Sequence, residues 1–139
     1  ELARRFPQVR LALSLHSADG DQRRRLVPRA LGDLCELHQV VVEVNALQTQ
    51  AMWVEVVLFD QLNDTVEHAR SLIDFCRGLR VEVNLIPYNN AGVSTLFSAS
   101  PRQSRELFAS LLRAAGIRTT IRSSLGSTVS AACGQLTAT

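Results

Sequence analysis

The sequence contains no lysine. All 15 of its basic residues are arginine, and 13 acidic residues balance them to a formal net charge of +2. This balance does not indicate a general polyanion-binding surface. One local cluster, Arg23 to Arg25, fits two interpretations: it contacts a phosphate through paired guanidinium hydrogen bonds, or it is a solvated helix face.

Long apolar runs and paired cysteines are also absent. No stretch reaches the ~18 consecutive apolar residues that cross a bilayer, and Leu11–Leu15 is too short for a secretory signal. The cysteines and histidines are scattered: Cys35, Cys76, Cys133, His16, His38 and His68. Their spacing gives no disulfide framework and no metal site, and it favours reduced thiols. These absences predict a soluble, cytoplasmic protein without membrane partners.

Hydrophobic residues make up 46% of the 139 residues, which suffices for one compact domain and excludes disorder as a class. The chain starts at Glu1 and enters a strand-like run almost at once, with no helix cap ahead of it. This start predicts a portion of a longer protein.

Alternating or valine-rich runs predict four strands, at Val9–His16, Trp53–Phe59, Arg80–Pro87 and Ile117–Arg122. Helical spacing predicts a short turn at Gln22–Leu26 and helices at Leu31–Val41, Val66–Cys76 and from Pro101 to Gly116. The run Val40–Val44 equally suits a strand because it is β-branched, but a helix is favoured. Asn63 or Asp64, and Ser100, are the expected helix caps.

Strands that alternate with helices imply parallel βαβ units. The expected fold class is therefore α/β: a partial (β/α) barrel fragment with about four parallel strands and helices on its outer face. Such a fragment is expected to have two open edges and to expose an apolar inner face. The alternative is a small open α/β sheet that is complete in itself.

Polar residues collect where the predicted strands end, which is where parallel α/β folds bind ligands. They are Ser14, His16, Asp60, Asn63, Asn84, Asn89 and, beyond the last strand, Cys133. Taken singly, His16 also fits a hydrogen-bonded structural residue, and Cys35 and Cys76 fit core positions within apolar stripes. Cys133 differs because it lies among small residues, outside any amphipathic pattern.

Several segments carry a family resemblance. They include Leu13-Ser14-Leu15-His16, Val54-Glu55-Val56-Val57-Leu58-Phe59-Asp60, Val83-Asn84-Leu85-Ile86-Pro87-Tyr88-Asn89 and Ala131-Ala132-Cys133-Gly134-Gln135-Leu136. In this order they resemble the C-terminal half of the RlmN/Cfr family, which are radical S-adenosylmethionine enzymes that methylate an adenosine in ribosomal RNA and, in some members, in transfer RNA. Residues 1–139 would then be the C-terminal portion of a partial-barrel domain, including the methyl-carrier loop.

The resemblance implies roles for individual residues. Ser14, Leu15, His16 and Asn89 would contact S-adenosylmethionine, Leu15 through its backbone because its side chain points away. Cys133 falls on the family's methyl-carrying cysteine: carbon 2 of adenine is electron-poor, so the methyl group passes through a cysteine and reaches the ring by radical chemistry. A [4Fe-4S] cluster and its reductant are implied for the parent protein.

The family's CxxxCxxC cluster motif has no counterpart here, so the cluster ligands are expected outside this chain, and the chain alone is expected to be inactive. The charged residues usual before the final cysteine are replaced by Leu125–Ser130, and Pro28–Met52 matches the family poorly. The alternative function is a non-catalytic, diverged α/β module that binds RNA or a protein partner.

Overall fold

The computed structural model describes residues 1–89 and 96–122. Within them the chain forms α1 (Leu2–Arg5), β1 (Ala12–Ser14), α2 (Gly20–Leu26), α3 (Leu34–Leu47), β2 (Met52–Leu58), α4 (Val66–Cys76), β3 (Val81–Pro87), α5 (Arg102–Ala114) and β4 (Arg118–Ile121). None of these helices is both long enough and apolar enough to cross a bilayer. The expected α/β class, with four strands separated by helices, is confirmed.

The four strands form one parallel sheet in the order β1-β2-β3-β4. All of them therefore end at the same side of the sheet, which we call the carboxyl edge. The pairing register aligns one row across the sheet, consisting of Ser14, Glu55, Asn84 and Thr120. Because side chains alternate along a strand, this row lies on one face of the sheet, which we call the open face.

The opposite face of the sheet is covered by α4 and α5 and holds the main hydrophobic core. Strand residues such as Val54, Leu58 and Leu85 are fully buried there against Leu72 of α4 and Leu112 of α5. Burying a side chain of this size stabilises the fold by about 1.5–3 kcal/mol relative to leaving it exposed. The helices thus lie on one side of the sheet, as the partial-barrel prediction requires.

The β-branched run at residues 40–44 is helical, which confirms the favoured interpretation. Asp33 and Glu36 form a reciprocal capping box at the start of α3, and this satisfies two backbone N–H groups. Val41 and Val44, three positions apart, are buried against Ala3 of α1, whereas a strand would bury alternate residues. Local capping therefore outweighs the weak β preference of the valines.

Two expectations about the start of the chain are wrong. Residues Leu2–Arg5 form a short helix, and β1 is limited to Ala12–Ser14 rather than Val9–His16. Val9 remains 44% exposed, so no packing holds it in an extended strand. At the other end, His16 adopts a positive φ of 61°, which ends the extended conformation.

The expected helix caps are also wrong. The Thr65 hydroxyl, not Asn63 or Asp64, accepts the capping hydrogen bond of α4 from the His68 N–H, and α5 begins at Pro101 without a side-chain cap. The Ser100 hydroxyl instead donates to the Asp64 carboxylate at 2.6 Å. These polar side chains tie the loops at the carboxyl edge together, and they are therefore unavailable as caps.

The cysteine predictions divide. Cys76 is buried in the core, as expected, but Cys35 is exposed on α3, so its predicted core position is wrong. The apolar stripe that suggested burial begins at Leu34 and Leu37, which are only partly buried. Cys35 precedes the part of α3 that packs most closely on the chain.

The open face is more polar than expected. Its central row contains hydroxyl, carboxylate and amide side chains, although Trp53, at 36% exposure, adds an aromatic ring. The prediction of an apolar inner face is therefore wrong for this central row. The edges remain: among the described strands, β1 and β4 each pair along one side only.

We expect the isolated chain to self-associate, because an unpaired strand edge presents backbone groups to which another chain can bind. Light scattering over a concentration series would show oligomers that grow with concentration. A strictly monomeric chain with one cooperative melting transition and no binding of a hydrophobic dye would contradict this expectation. That result would favour the self-contained sheet.

Candidate functional site

The first candidate residues lie where β1 ends. Ser14 is exposed on the open face, next to Glu55 of β2 in the pairing register. Leu15 is fully buried in the core on the opposite face, so only its backbone is available to a ligand. Its N–H already donates to the Glu55 carbonyl at 3.0 Å, and its carbonyl accepts from Ser17 at 2.8 Å.

His16 has a left-handed backbone conformation that is held from both sides. Its N–H donates to the Glu55 carbonyl at 3.2 Å, and its carbonyl accepts from the Asn63 side-chain amide at 2.8 Å. A positive φ is unfavourable for a residue with a side chain and persists only where its surroundings enforce it. These hydrogen bonds turn the chain at the carboxyl edge and fix where the imidazole ring begins.

The imidazole ring of His16 is also fixed. Its Nδ1 accepts a hydrogen bond from the Val57 N–H at 3.2 Å, which requires a lone pair on Nδ1 and leaves the proton on Nε2. Burial and, to a smaller extent, the charge of Arg23 lower the pKa of His16, although Glu55 acts in the opposite direction. The ring is therefore neutral near pH 7 and can offer Nε2–H to a ligand as a donor.

Asn63 is the structural centre of this edge, a role that the sequence did not reveal. It is 1% exposed, and its amide nitrogen donates to the carbonyls of His16 at 2.8 Å and Val57 at 2.7 Å. Its side-chain oxygen accepts from the Phe59 N–H at 2.8 Å. Asn63 therefore joins the end of β1 to the end of β2.

A hydrogen-bonded chain crosses the open face. The Thr120 hydroxyl donates to the Asn84 side-chain oxygen at 2.6 Å, and the Asn84 amide donates to one carboxylate oxygen of Glu55 at 2.9 Å. The other Glu55 oxygen is enclosed and has no partner. Nearer the start of the strands, Glu82 pairs with Arg10 at 2.5 Å and Arg118 at 2.7 Å. Polar groups thus line this face from β2 to β4.

Asn89 follows β3 by two residues and is exposed. It lies at the same carboxyl edge as Ser14 and His16, with β2 between them. Neighbouring strands are about 4.8 Å apart, so the ends of β1 and β3 are roughly 10 Å apart across the sheet. A shared pocket for the three residues stays a prediction.

An aromatic cluster, also missed in the sequence, packs beside Asn89. The ring of Phe59 lies 4.8 Å from that of Tyr88 and 5.0 Å from that of Phe97, measured between centroids. The Asp60 N–H also donates to the Ser98 carbonyl at 2.9 Å. Residues 97–98 are therefore held against the carboxyl edge, where they limit access of water to the end of β2.

The predicted methyl carrier, Cys133, lies outside the described residues, and so does Leu125–Ser130. Within residues 1–89 and 96–122, no three histidine, cysteine or acidic side chains are grouped as metal ligands. The described site is therefore a set of polar groups at the carboxyl edge and on the open face.

Comparison with known proteins gives relatives over almost the whole chain. A protein described as probable RNA methyltransferase RB6963 from Rhodopirellula baltica is 44% identical over 136 residues, which cover 97% of this chain and 36% of that protein. Probable dual-specificity RNA methyltransferase RlmN from Chlorobaculum tepidum is 36% identical, with the same coverage. The chain thus spans 36% of the length of these two relatives. No protein-family model matches the sequence.

Solved structures support the same relationship. A radical SAM methyltransferase from Sphaerobacter thermophilus superposes with a TM-score of 0.86 at 35% identity, over 96% of this chain and 40% of that one. A domain of pyruvate-formate lyase-activating enzyme from Bacteroides vulgatus, with a TM-score of 0.64 at 15% identity, shares the fold alone. By sequence and by fold, this chain belongs to the RlmN-type family of radical S-adenosylmethionine methyltransferases, as a portion corresponding to their C-terminal half.

Proposed function

We propose that this chain supplies part of the S-adenosylmethionine site of an enzyme that methylates an adenosine of 23S ribosomal RNA, with transfer RNA as a second substrate. The observation that carries the proposal is the end of β1. There the exposed Ser14 hydroxyl and the fixed His16 ring meet at the carboxyl edge of a parallel sheet. Parallel α/β enzymes bind ligands at this edge.

The polar groups at this edge fit the adenosyl and amino-acid parts of the cofactor. Ser14 offers a hydroxyl, and neutral His16 offers Nε2–H as a donor. Leu15 contributes backbone only, because its side chain is buried in the core. Asn89, exposed after β3, is the proposed contact on the other side of β2.

Cys133 is the proposed methyl carrier. When bound, S-adenosylmethionine and the [4Fe-4S] cluster of the parent protein supply the methyl group and the radical that the electron-poor adenine carbon requires. The ligands of that cluster lie outside this chain, which has no CxxxCxxC motif. The cluster requires a cellular reductant, so a cytoplasmic location is part of the proposal.

The test uses the full-length protein, purified without oxygen and loaded with its cluster. We expect it to convert an adenosine in a 23S ribosomal RNA fragment to methyladenosine, detected by mass spectrometry of the digested nucleosides. A His16→Ala variant should lose most S-adenosylmethionine affinity, because it removes the Nε2–H donor. A protein that binds the RNA but forms no methyladenosine would contradict the proposal and favour the non-catalytic module.

A further inference from the structure

The short helix α2 lies across the carboxyl edge. It begins at Asp19, whose side chain accepts from the Gln22 N–H at 2.7 Å. Gln22 is buried, and its side-chain amide donates to the Leu62 carbonyl, in the turn after β2, at 3.1 Å. These contacts bring the next residue, Arg23, next to the turn that holds the end of β1.

Arg23 is an unpaired cation in a buried position. Only 7% of it is exposed, its Nε is enclosed without an acceptor, and no carboxylate of the described residues forms an ion pair with it. Its neighbour Arg24, in contrast, is 70% exposed in its side chain and pairs with Asp21. A buried charge without a partner is strongly unfavourable, so a bound anion is the expected partner.

The position of Arg23 relates it to the proposed cofactor site. Its charge contributes to the lowered pKa of His16, which means that the guanidinium lies close to the imidazole ring. Glu55 is the acidic group that acts on the same ring, and it does not form an ion pair with Arg23. Cation, imidazole and carboxylate therefore surround one place at the end of β1.

We propose that Arg23 binds the carboxylate of the methionine group of S-adenosylmethionine. This inference rests on the proposed function, because it assumes that the cofactor contacts Ser14 and His16. A guanidinium binds a carboxylate through two parallel hydrogen bonds, and the small exposed part of Arg23 suits the compact end of a small ligand. A phosphate within an RNA strand carries two flanking nucleotides and needs a wider opening.

The experiment measures ligand affinity by titration calorimetry in the full-length, cluster-loaded protein. The two ligands are S-adenosylmethionine and its decarboxylated analogue. We expect Arg23→Gln to weaken binding of S-adenosylmethionine about 30-fold, as for loss of a hydrogen-bonded charge pair, and to leave the analogue's affinity unchanged. Arg25→Gln is the matched control: it makes the same charge change on the same helix, at an exposed position, and should alter neither affinity.

Each other outcome is informative. Equal loss for both ligands, or no loss for either, overturns the carboxylate assignment. Weakened RNA binding with unchanged S-adenosylmethionine binding would identify a phosphate as the partner instead. If the wild-type protein binds no S-adenosylmethionine, the proposed function itself fails. Should Arg23→Gln not fold, Arg23→Lys keeps the charge but loses the two-pronged geometry, and it should still weaken S-adenosylmethionine selectively.

Discussion

Replacing Cys133 by alanine in the full-length enzyme is expected to abolish RNA methylation. If the methyl group travels through a thioether on this residue, alanine offers no atom that can take its place. In the active wild-type enzyme, mass spectrometry should find the peptide that contains Cys133 heavier by one methyl group. S-adenosylmethionine binding should stay close to wild type, because the proposed cofactor contacts lie elsewhere, at Ser14, Leu15, His16 and Asn89.

The other two cysteines provide matched controls. Burial raises the pKa of the Cys76 thiol to about 12, so it stays protonated and is a poor nucleophile. Cys35 lies on α3, in a groove that faces α4 rather than the open face. Cys35→Ala should leave both methylation and stability unchanged, and Cys76→Ala should cost about 1 kcal/mol through lost packing. Unmodified Cys133 in active enzyme, or continued methylation by Cys133→Ala, would show that the carrier assignment is wrong.

The parts of the fold that follow from periodicity could be predicted from the sequence. Val54, Val56 and Leu58 are buried at every second position of β2, because one face of the sheet carries the core. The helix over residues 34–47 was predictable from its spacing, although the capping box that stabilises it was not noticed. Such patterns reflect local geometry repeated along the chain, and local geometry is legible in sequence.

The parts that failed depend on contacts between distant residues. Asn63 looked like a helix cap because asparagine commonly caps helices, yet its amide is occupied by the carbonyls of His16 and Val57. Arg23 looked like one of three equivalent surface arginines, yet it alone of them is buried. Neither outcome is visible until the turn after β1 and the turn after β2 are brought together.

The same turn gives the site its rigidity. His16 keeps an unfavourable backbone conformation only because the Glu55 carbonyl and the Asn63 amide hold its two peptide groups. Its ring is then oriented by the Val57 N–H, which belongs to the same strand as Glu55. The direction of the His16 Nε2–H is therefore set by β2, and a change in Asn63 should affect both stability and ligand binding.

We expect Asn63→Ala to destabilise the chain by about 3 kcal/mol, because three buried backbone groups lose their hydrogen-bond partner. Asn63→Asp should be worse, since it keeps the acceptor for the Phe59 N–H but turns a carboxylate oxygen toward two carbonyls. Urea denaturation, at chain concentrations where the midpoint is independent of concentration, measures both changes in the free energy of unfolding.

Asn45 provides the control for Asn63. Its side chain also bonds to backbone, donating to the Arg80 carbonyl at 3.2 Å and accepting from the Arg80 N–H at 2.6 Å, but these groups lie near the surface. Water replaces the lost bonds there, so Asn45→Ala should cost less than about 1 kcal/mol. Equal costs for Asn45→Ala and Asn63→Ala would mean that the turn at His16 does not depend on Asn63. In full-length enzyme, Asn63→Ala should also weaken S-adenosylmethionine binding, because the His16 ring then loses its fixed direction at the end of β1.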